Sequence, residues 1–409
     1  MATLRAHIGQ IMSIGITVGL LTASTAASGA AALYNVSSAD KVERFLTENI
    51  SDKFSGALLI AQDGEIIHGQ GYGLANREDN IPNGLDTVFE IGGLTQYFTA
   101  TAVLKLVEQG KLNLDDTLPN FFDNVPENKQ NITVHHLLTH TPGLFEDDKL
   151  DVLEVASEEA FLKDVFSQED SISPAVYLPT FAFQPGERSI TFNLGYNLLA
   201  LIVEKRSGQS FEAFLNEYLF EPANIKNTGY MLPDWKPEQL ANAYAGDEGK
   251  SQGNLVELLS KNASLPPYLK GSLGLSSTVS DLYQWHLALR DGKILSSDLV
   301  QLLDMRHIGL TERFEADIDQ GYGISITETW SGTPWLLNVG LFNASNGLPV
   351  FEVGYNYFPD DNTVVIFASN TPLDADFYDS FYPLIRLLLE QDYTPHSQPV
   401  LSRNEEEQR

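Results

Sequence analysis

Strand signals stand near both ends of this chain, and helix signals fill the stretch between them. Residues 55–73 contain the apolar run ALLIA, the turn pair Asp63-Gly64 and a second β-like run. Residues 349–368 repeat this pattern around the turn PDDN. Asp-Gly is a favourable hairpin turn, and short continuous apolar runs are typical of buried strands. We therefore expect strands from both ends of the chain to join one antiparallel sheet.

Helical periodicity marks five segments, at residues 95–109, 193–206, 210–220, 281–289 and 377–389. Gly110 is placed to cap the first of them, and Pro222 to close the third. This order predicts an α+β fold, an antiparallel sheet flanked by helices plus a mostly helical lobe. We place the sheet lobe at residues 40–114 and 266–391, and the helical lobe at residues 115–265. A cleft between two lobes is a common place for a ligand.

The composition excludes several classes of function. The chain has 409 residues, of which 43% are hydrophobic and 20% charged, and this balance is typical of a folded globular protein. It carries 55 acidic and 25 basic residues, a net charge of −30, which opposes binding to nucleic acid or an anionic membrane. The absence of cysteine excludes disulfides, thiolate nucleophiles, zinc–thiolate sites and iron–sulfur clusters.

The first 32 residues have the pattern of a secretory signal peptide. A basic start precedes an apolar run at residues 11–21, and small residues follow it. The run is shorter than the roughly 20 residues of a membrane span, although an N-terminal anchor helix is an alternative. We place cleavage within residues 26–32, a folded domain at residues 33–391 and a flexible tail at residues 392–409. The expected location is periplasmic or secreted.

Several strings, in a consistent order, resemble the serine β-lactamase and penicillin-binding-protein superfamily. They are FEIG at residues 89–92, GKLNLDD at 110–116, ITVHHLLTHTPGL at 132–144 and GSLGLSSTVSDL at 271–282. They are most similar to the class C-like branch, which includes D-Ala-D-Ala carboxypeptidases, esterases and aminopeptidases. The resemblance covers residues 45–390 and implies a β-lactamase/transpeptidase-like fold.

The resemblance implies a Ser-x-x-Lys motif at a helix start, in which a deprotonated amine activates the serine. In this sequence Gly93 takes the place of the serine and Gln96 that of the lysine. Glycine has no side chain with which to attack, and a glutamine amide accepts no proton. Thr95 keeps a hydroxyl inside the motif and is a candidate ligand contact or a weak replacement nucleophile. A second Ser-x-x-Lys string, which starts at Ser38, lies outside the region that carries the resemblance.

Two further motifs of the resembled family are also altered. The family's Tyr-x-Asn reads Thr191 and Asn193, so that the proton-shuttling tyrosine is lost and the asparagine remains to contact a ligand. The family's Lys- or His-x-Gly, which meets a substrate carboxylate, is placed at Leu341-Phe342-Asn343. In that register the wall of the cleft becomes apolar, with Phe342 and Asn343 as candidate ligand contacts.

These substitutions leave three hypotheses open. The first is an exported β-lactamase-related pseudoenzyme that binds a small molecule, a peptidoglycan fragment or a partner in the cleft between lobes. The second is an active serine-type hydrolase with relocated catalytic groups, and the third is a purely structural role. His136 and His140 have the i, i+4 spacing of helical metal ligands, but no Glu follows His136. We therefore expect neither a metal nor a cofactor, and the sequence does not predict an oligomeric state.

Overall fold

A computed structural model of the chain describes residues 38–50, 54–144, 157–167, 183–191, 193–230, 235–245, 249–254, 257, 270–309, 318–343 and 349–390. The expected signal peptide and the expected tail lie outside these residues. Within them, every helix is too short or too polar to cross a lipid bilayer.

The described part of the chain is organised by one antiparallel sheet. The strands are β1 (Gly56–Gln62), β2 (Glu65–Tyr72), β3 (Leu74–Asn76), β4 (Ile81–Pro82), β5 (Phe89–Glu90), β6 (Asn242–Ala245), β7 (Lys250–Asn254), β8 (Ser276–Ser277), β9 (Ile308–Gly309), β10 (Asp319–Gln320), β11 (Ser325–Glu328), β12 (Pro334–Asn343), β13 (Pro349–Phe358) and β14 (Thr363–Ser369). Eight of them form the sheet, in the order β2-β1-β14-β13-β12-β11-β10-β9. The remaining strands pair two by two, and the pair β5–β8 lies beside the site described below.

Strands from the two ends of the chain meet in the middle of this sheet. β1 pairs with β14 along its whole length, from Gly56 opposite Ser369 to Gln62 opposite Thr363. The expectation that both ends share one antiparallel sheet is therefore confirmed. The predicted hairpin is also present, because Asp63 and Gly64 have φ of 52° and 80° between β1 and β2. Two successive positive φ angles describe the turn that follows the right-handed twist of paired strands.

The helices are α1 (Ser38–Asn49), α2 (Thr95–Glu108), α3 (Val134–Leu138), α4 (Glu158–Ser167), α5 (Asn193–Ser207), α6 (Phe211–Leu215), α7 (Glu221–Ala223), α8 (Val279–Arg290), α9 (Ser297–Asp304) and α10 (Ala375–Leu389). Four of the five predicted helical segments correspond to α2, α5, α8 and α10. Gly110, with φ of 68°, follows the end of α2 as expected of a capping glycine.

The remaining predicted segment, at residues 210–220, does not end at Pro222 as predicted. α6 continues into a π-helical turn at Asn216–Phe220 and then into α7, where Pro222 lies in the first turn. A proline is tolerated there because the first N–H groups of a helix have no partner within it. The chain leaves the helix at Asn224, which has φ of 55°.

Both faces of the sheet are covered by helices, which explains the apolar run at residues 364–368 of β14. All seven of its residues are buried. Val365 and Phe367 belong to a cluster with apolar side chains of α1 and α10. Ile366 and Ala368 point to the opposite face and belong to the main core with α2 and α8. Successive side chains of a strand alternate between faces, so the central residues of a strand with two covered faces are apolar in succession.

Leu384 tests the packing of α10 on the sheet. It is fully buried in the cluster with β14, so Leu384→Ala is expected to lower the free energy of unfolding by about 2–5 kcal/mol through lost burial and a residual cavity. Urea denaturation measures this change. Asp379→Ala, at an exposed position of the same helix, is the control and is expected to change stability by less than about 0.5 kcal/mol. Equal effects of the two substitutions would contradict the described packing.

Candidate functional site

The candidate site is built around the turn that leads into α2. Residues 92–94 form one turn of 3₁₀ helix between β5 and α2, and β12 crosses directly over this turn. A Cβ atom added at Gly92 would lie 2.5 Å from the Leu341 carbonyl oxygen and 2.6 Å from its nitrogen. One added at Gly340 would lie 1.9 Å from the carbonyl oxygen of Ile91. The two backbones therefore approach this closely only because both positions are glycine.

Gly93 differs from its neighbour Gly92. Gly92 has φ of 51°, whereas Gly93 lies outside the left-handed region. A Cβ atom at Gly93 would meet one atom within 4 Å, the Val339 carbonyl oxygen at 3.9 Å. The backbone at Gly93 thus has room for a side chain at the position where the resemblance implies a nucleophile. Position 93 itself carries no side chain.

Gln96 and Asn193, two of the residues singled out in the sequence, come together in the structure. Gln96 lies in the first turn of α2, and its Nε2 donates a hydrogen bond to Oδ1 of Asn193 at 3.3 Å. Asn193 is the first residue of α5, so the bond links the starts of two helices. Both groups are neutral amides, which hydrogen-bond well and do not exchange protons near neutral pH. This pair can hold a polar group but has no amine to act as a base.

Thr95 and Thr191 occupy contrasting environments. Thr95 is fully buried, and among the described residues its hydroxyl has no hydrogen-bond partner. Burial separates that oxygen from the surface of the described structure, and the role of Thr95 as a ligand contact or weak replacement nucleophile stays a prediction. Thr191 is exposed two residues before α5.

The expected third motif begins at Leu341, in the part of β12 that contacts the turn before α2. The Leu341 side chain is 47% exposed, its backbone contacts Gly92, and Gly340 packs against Ile91. Two residues earlier, Nδ2 of Asn338 donates to the Gly323 carbonyl oxygen at 2.8 Å. Gly323 in turn packs on the backbone of Gln96, since a Cβ atom at this glycine would lie 2.5 Å from the Gln96 carbonyl oxygen.

These contacts bring Asn338-Val339-Gly340 beside the start of α2, and the expected placement of the motif at Leu341-Phe342-Asn343 stays a prediction. The side chains of Phe342 and Asn343 lie outside the described part of the chain. Sequence reasoning missed Asn338 and its partner Gly323, although one signal was available. A glycine two residues after a polar residue has the spacing of the family's third motif, and residues 338–340 satisfy it.

A buried carboxyl group is hydrogen-bonded to the turn before α2. Glu90, in β5, is buried and accepts hydrogen bonds from the backbone N–H of Gly92 at 2.8 Å and of Gly274 at 2.9 Å. Burial raises the pKa of the Glu90 carboxyl to about 8, and the two N–H donors act in the opposite direction. The carboxyl group is therefore mostly protonated at neutral pH.

The histidine pair does not form the expected helical geometry. His136 lies in α3, which ends at Leu138, and His140 follows in the left-handed conformation with φ of 57°. The two imidazoles are thus not on one helical face. Within the described ranges, no three His, Cys, Asp or Glu side chains are grouped so as to hold a metal ion.

The string Ser38-Ala39-Asp40-Lys41 lies far from this turn. It begins α1, whose apolar side chains pack with α10 on the face of the sheet opposite to α2.

A cavity of about 800 Å³ lies between Phe122, Phe166 and Lys205. It shares no lining residue with the turn at Gly93, and Lys205 is paired with Glu158 at 2.9 Å.

The sequence profile described as Beta-lactamase matches residues 40–390. The chain belongs to the beta-lactamase family. It is 26% identical over 356 residues to Penicillin-binding protein 4* of Bacillus subtilis, an alignment that covers 81% of this chain and 72% of that protein.

Solved structures of this family have the same fold. The penicillin binding protein from Bacillus halodurans aligns with a TM-score of 0.66 and 26% identity, over 85% of this chain and 99% of that one. The octameric penicillin-binding protein homologue from Pyrococcus abyssi aligns with a TM-score of 0.67 and 26% identity, over 85% and 77%. The expected α+β, β-lactamase/transpeptidase-like fold is confirmed, and this chain is a beta-lactamase-related member of the serine hydrolases.

The two adjacent glycines of this beta-lactamase family member give a matched test of the turn. Gly92→Ala is expected to lower the unfolding free energy by at least about 2 kcal/mol, because it combines positive φ with a clash against the Leu341 backbone. Gly93→Ala, in open space, is expected to change stability by less than about 1 kcal/mol. Thermal or urea denaturation of both variants measures the difference. A similar cost at both positions would show that β12 does not cross the turn as described.

Glu90 predicts a pH dependence of stability. Its pKa is raised from 4.5 to about 8 in the folded protein. Its contribution to the free energy of unfolding is therefore greatest below pH 4.5 and is lost as pH rises through 8. The unfolding free energy is expected to fall by at most about 1.4 kcal/mol per pH unit over this range. Glu90→Gln is expected to remove this part of the slope while costing about 1–3 kcal/mol, because its NH₂ group faces a backbone donor. Urea denaturation from pH 4.5 to 8 measures both, and an unchanged slope in the variant contradicts the assignment.

Proposed function

We propose that this beta-lactamase family member binds a ligand at the start of α2 without forming an acyl intermediate. The observation that carries the proposal is the open, side-chain-free position at Gly93, one helical turn from Gln96. Acyl transfer by this class of site needs a nucleophile and a proton acceptor within reach of each other. Glycine supplies no nucleophile, and the neutral amide of Gln96 supplies no base.

The groups that we assign to binding lie together at the start of α2. The amides of Gln96 and Asn193 are linked at 3.3 Å, and β12 passes over the turn at Gly340. We propose that Asn338-Val339-Gly340 forms the wall of the cleft that corresponds to the third motif. Removing the nucleophile from an acyl-transfer site leaves hydrogen bonding and backbone electrostatics, which bind ligands but raise rates far less.

We also propose that the protein is exported to the periplasm or secreted. The support is the sequence of residues 1–32, where a basic start, an apolar run at residues 11–21 and a small-residue end follow one another. Processing between residues 26 and 32 is the expected outcome, measured by the mass of the mature protein recovered from the native host.

Restoring the two missing groups tests the proposal. The wild-type protein is expected to form no covalent adduct with benzylpenicillin or a fluorophosphonate, as measured by intact-protein mass. Gly93→Ser combined with Gln96→Lys is expected to gain a fluorophosphonate adduct on the new serine, since Gly93 has room for its side chain and burial favours the neutral amine of a lysine. A penicillin is included because two of the relatives are named penicillin-binding proteins.

The matched control is Gly93→Ala combined with Gln96→Lys, which has the amine but no hydroxyl and is expected to stay unlabelled. An adduct on any side chain of the wild-type protein would contradict the proposal and favour a hydrolase with relocated groups. Thermal shifts with penicillins and peptidoglycan fragments measure non-covalent binding. The absence of any shift would favour a structural role.

A further inference from the structure

Seven described residues that these contacts bring near Gly93 have uncharged side chains or none. They are Gln96, Asn193, Gly323, Asn338, Val339, Gly340 and Leu341. Two of them are exposed apolar side chains on one face of β12, with Val339 42% and Leu341 47% accessible. Exposed apolar side chains next to neutral amides form a surface that suits an uncharged ligand with both an apolar and an amide- or ester-like part.

Two arginines of the neighbouring elements are paired with acids. Arg306, just before β9, contacts Asp319 at 3.1 Å and Glu328 at 3.0 Å. Arg290, at the end of α8, is bound to Asp304. These guanidinium groups offer little attraction to an incoming anion, because their charge is balanced where they stand.

The net charge of the whole chain also disfavours an anionic ligand. With 55 acidic and 25 basic residues, the net charge is −30. A negative potential of this size lowers the local concentration of anions at the surface, and a carboxylate that enters a neutral, partly apolar wall loses hydration without a cation to replace it.

We propose that the ligand of this site is an uncharged acyl compound, and that the site discriminates against the same compound with a free carboxylate. The inference rests on the binding role proposed above and adds the ligand's chemical class. The apolar part of the ligand lies along Val339 and Leu341, and its amide or ester group meets the Gln96–Asn193 pair. Asn338 is the position that sets this preference, since it lies beside the start of α2 and is neutral.

Benzylpenicillin and its methyl ester form a matched pair of probes, because they have the same acyl group and ring system and differ mainly in the charge of one group. Calorimetric titration of the full protein with each compound measures the two dissociation constants. The wild-type protein is expected to bind the ester at least about tenfold more tightly than the acid.

Asn338→Lys places a cation beside the Gly323 carbonyl oxygen and is expected to narrow or reverse this preference by at least about tenfold. Gln70→Lys adds the same charge at an exposed position of β2 and is expected to leave the ratio unchanged. If Asn338→Lys does not fold, Leu341→Lys adds the charge at an exposed position next to the turn at residues 92–94. The preference for the ester is expected to change in the same direction.

Two outcomes separate this inference from the proposed function. A wild-type protein that binds the acid as tightly as the ester overturns the inference and leaves the binding role in place. A wild-type protein that binds neither compound at millimolar concentration contradicts the binding role, and the inference with it. A shift of equal size in Gln70→Lys and Asn338→Lys also overturns the inference, because the effect would then come from net charge alone.

Discussion

The site depends on the close passage of β12 over the turn at the start of α2. Gly340 and Gly92 are the positions of contact, and a Cβ atom at either would lie within 3 Å of opposing backbone atoms. Gly323 makes the same kind of approach to the backbone of Gln96. These three glycines thus let the backbones of strand, loop and helix contact one another directly. Residues with larger side chains would hold the backbones apart. The positions of Asn338, Val339 and Gln96 follow from this contact.

This arrangement separates the geometry of an acyl-transfer site from its chemistry. The glycine at 92 is required by the backbone, whereas the glycine at 93 stands in open space and is not. Glycine at position 93 is therefore not required by the backbone of the turn. Gln96 places a neutral amide in the first turn of α2, bonded to Asn193. The proposed binding role rests on these two positions.

The buried side chain of Glu90 stabilises the turn at residues 92–94. Glu90 is buried next to two backbone N–H groups, and its raised pKa keeps it mostly neutral near pH 7. A neutral carboxyl group avoids the cost of a buried charge, and its carbonyl oxygen still accepts one of these hydrogen bonds. The turn is therefore supported over the pH range in which Glu90 keeps its proton.

The sequence by itself determined the features that depend on neighbouring residues. Hydrophobic periodicity and turn chemistry predicted the sheet shared by both chain ends, the Asp63-Gly64 hairpin and most of the helices, and the family strings located Gly93, Gln96 and Asn193. Only the tertiary structure decided which residues of β12 meet the turn, because the strand pattern of the sequence does not distinguish residues 338–340 from residues 341–343, three positions further on. Burial of the Thr95 hydroxyl and the placement of Asn338 beside Gly323 were decided in the same way. Both arise from packing between separate elements of the chain, for which hydrophobic periodicity carries no signal.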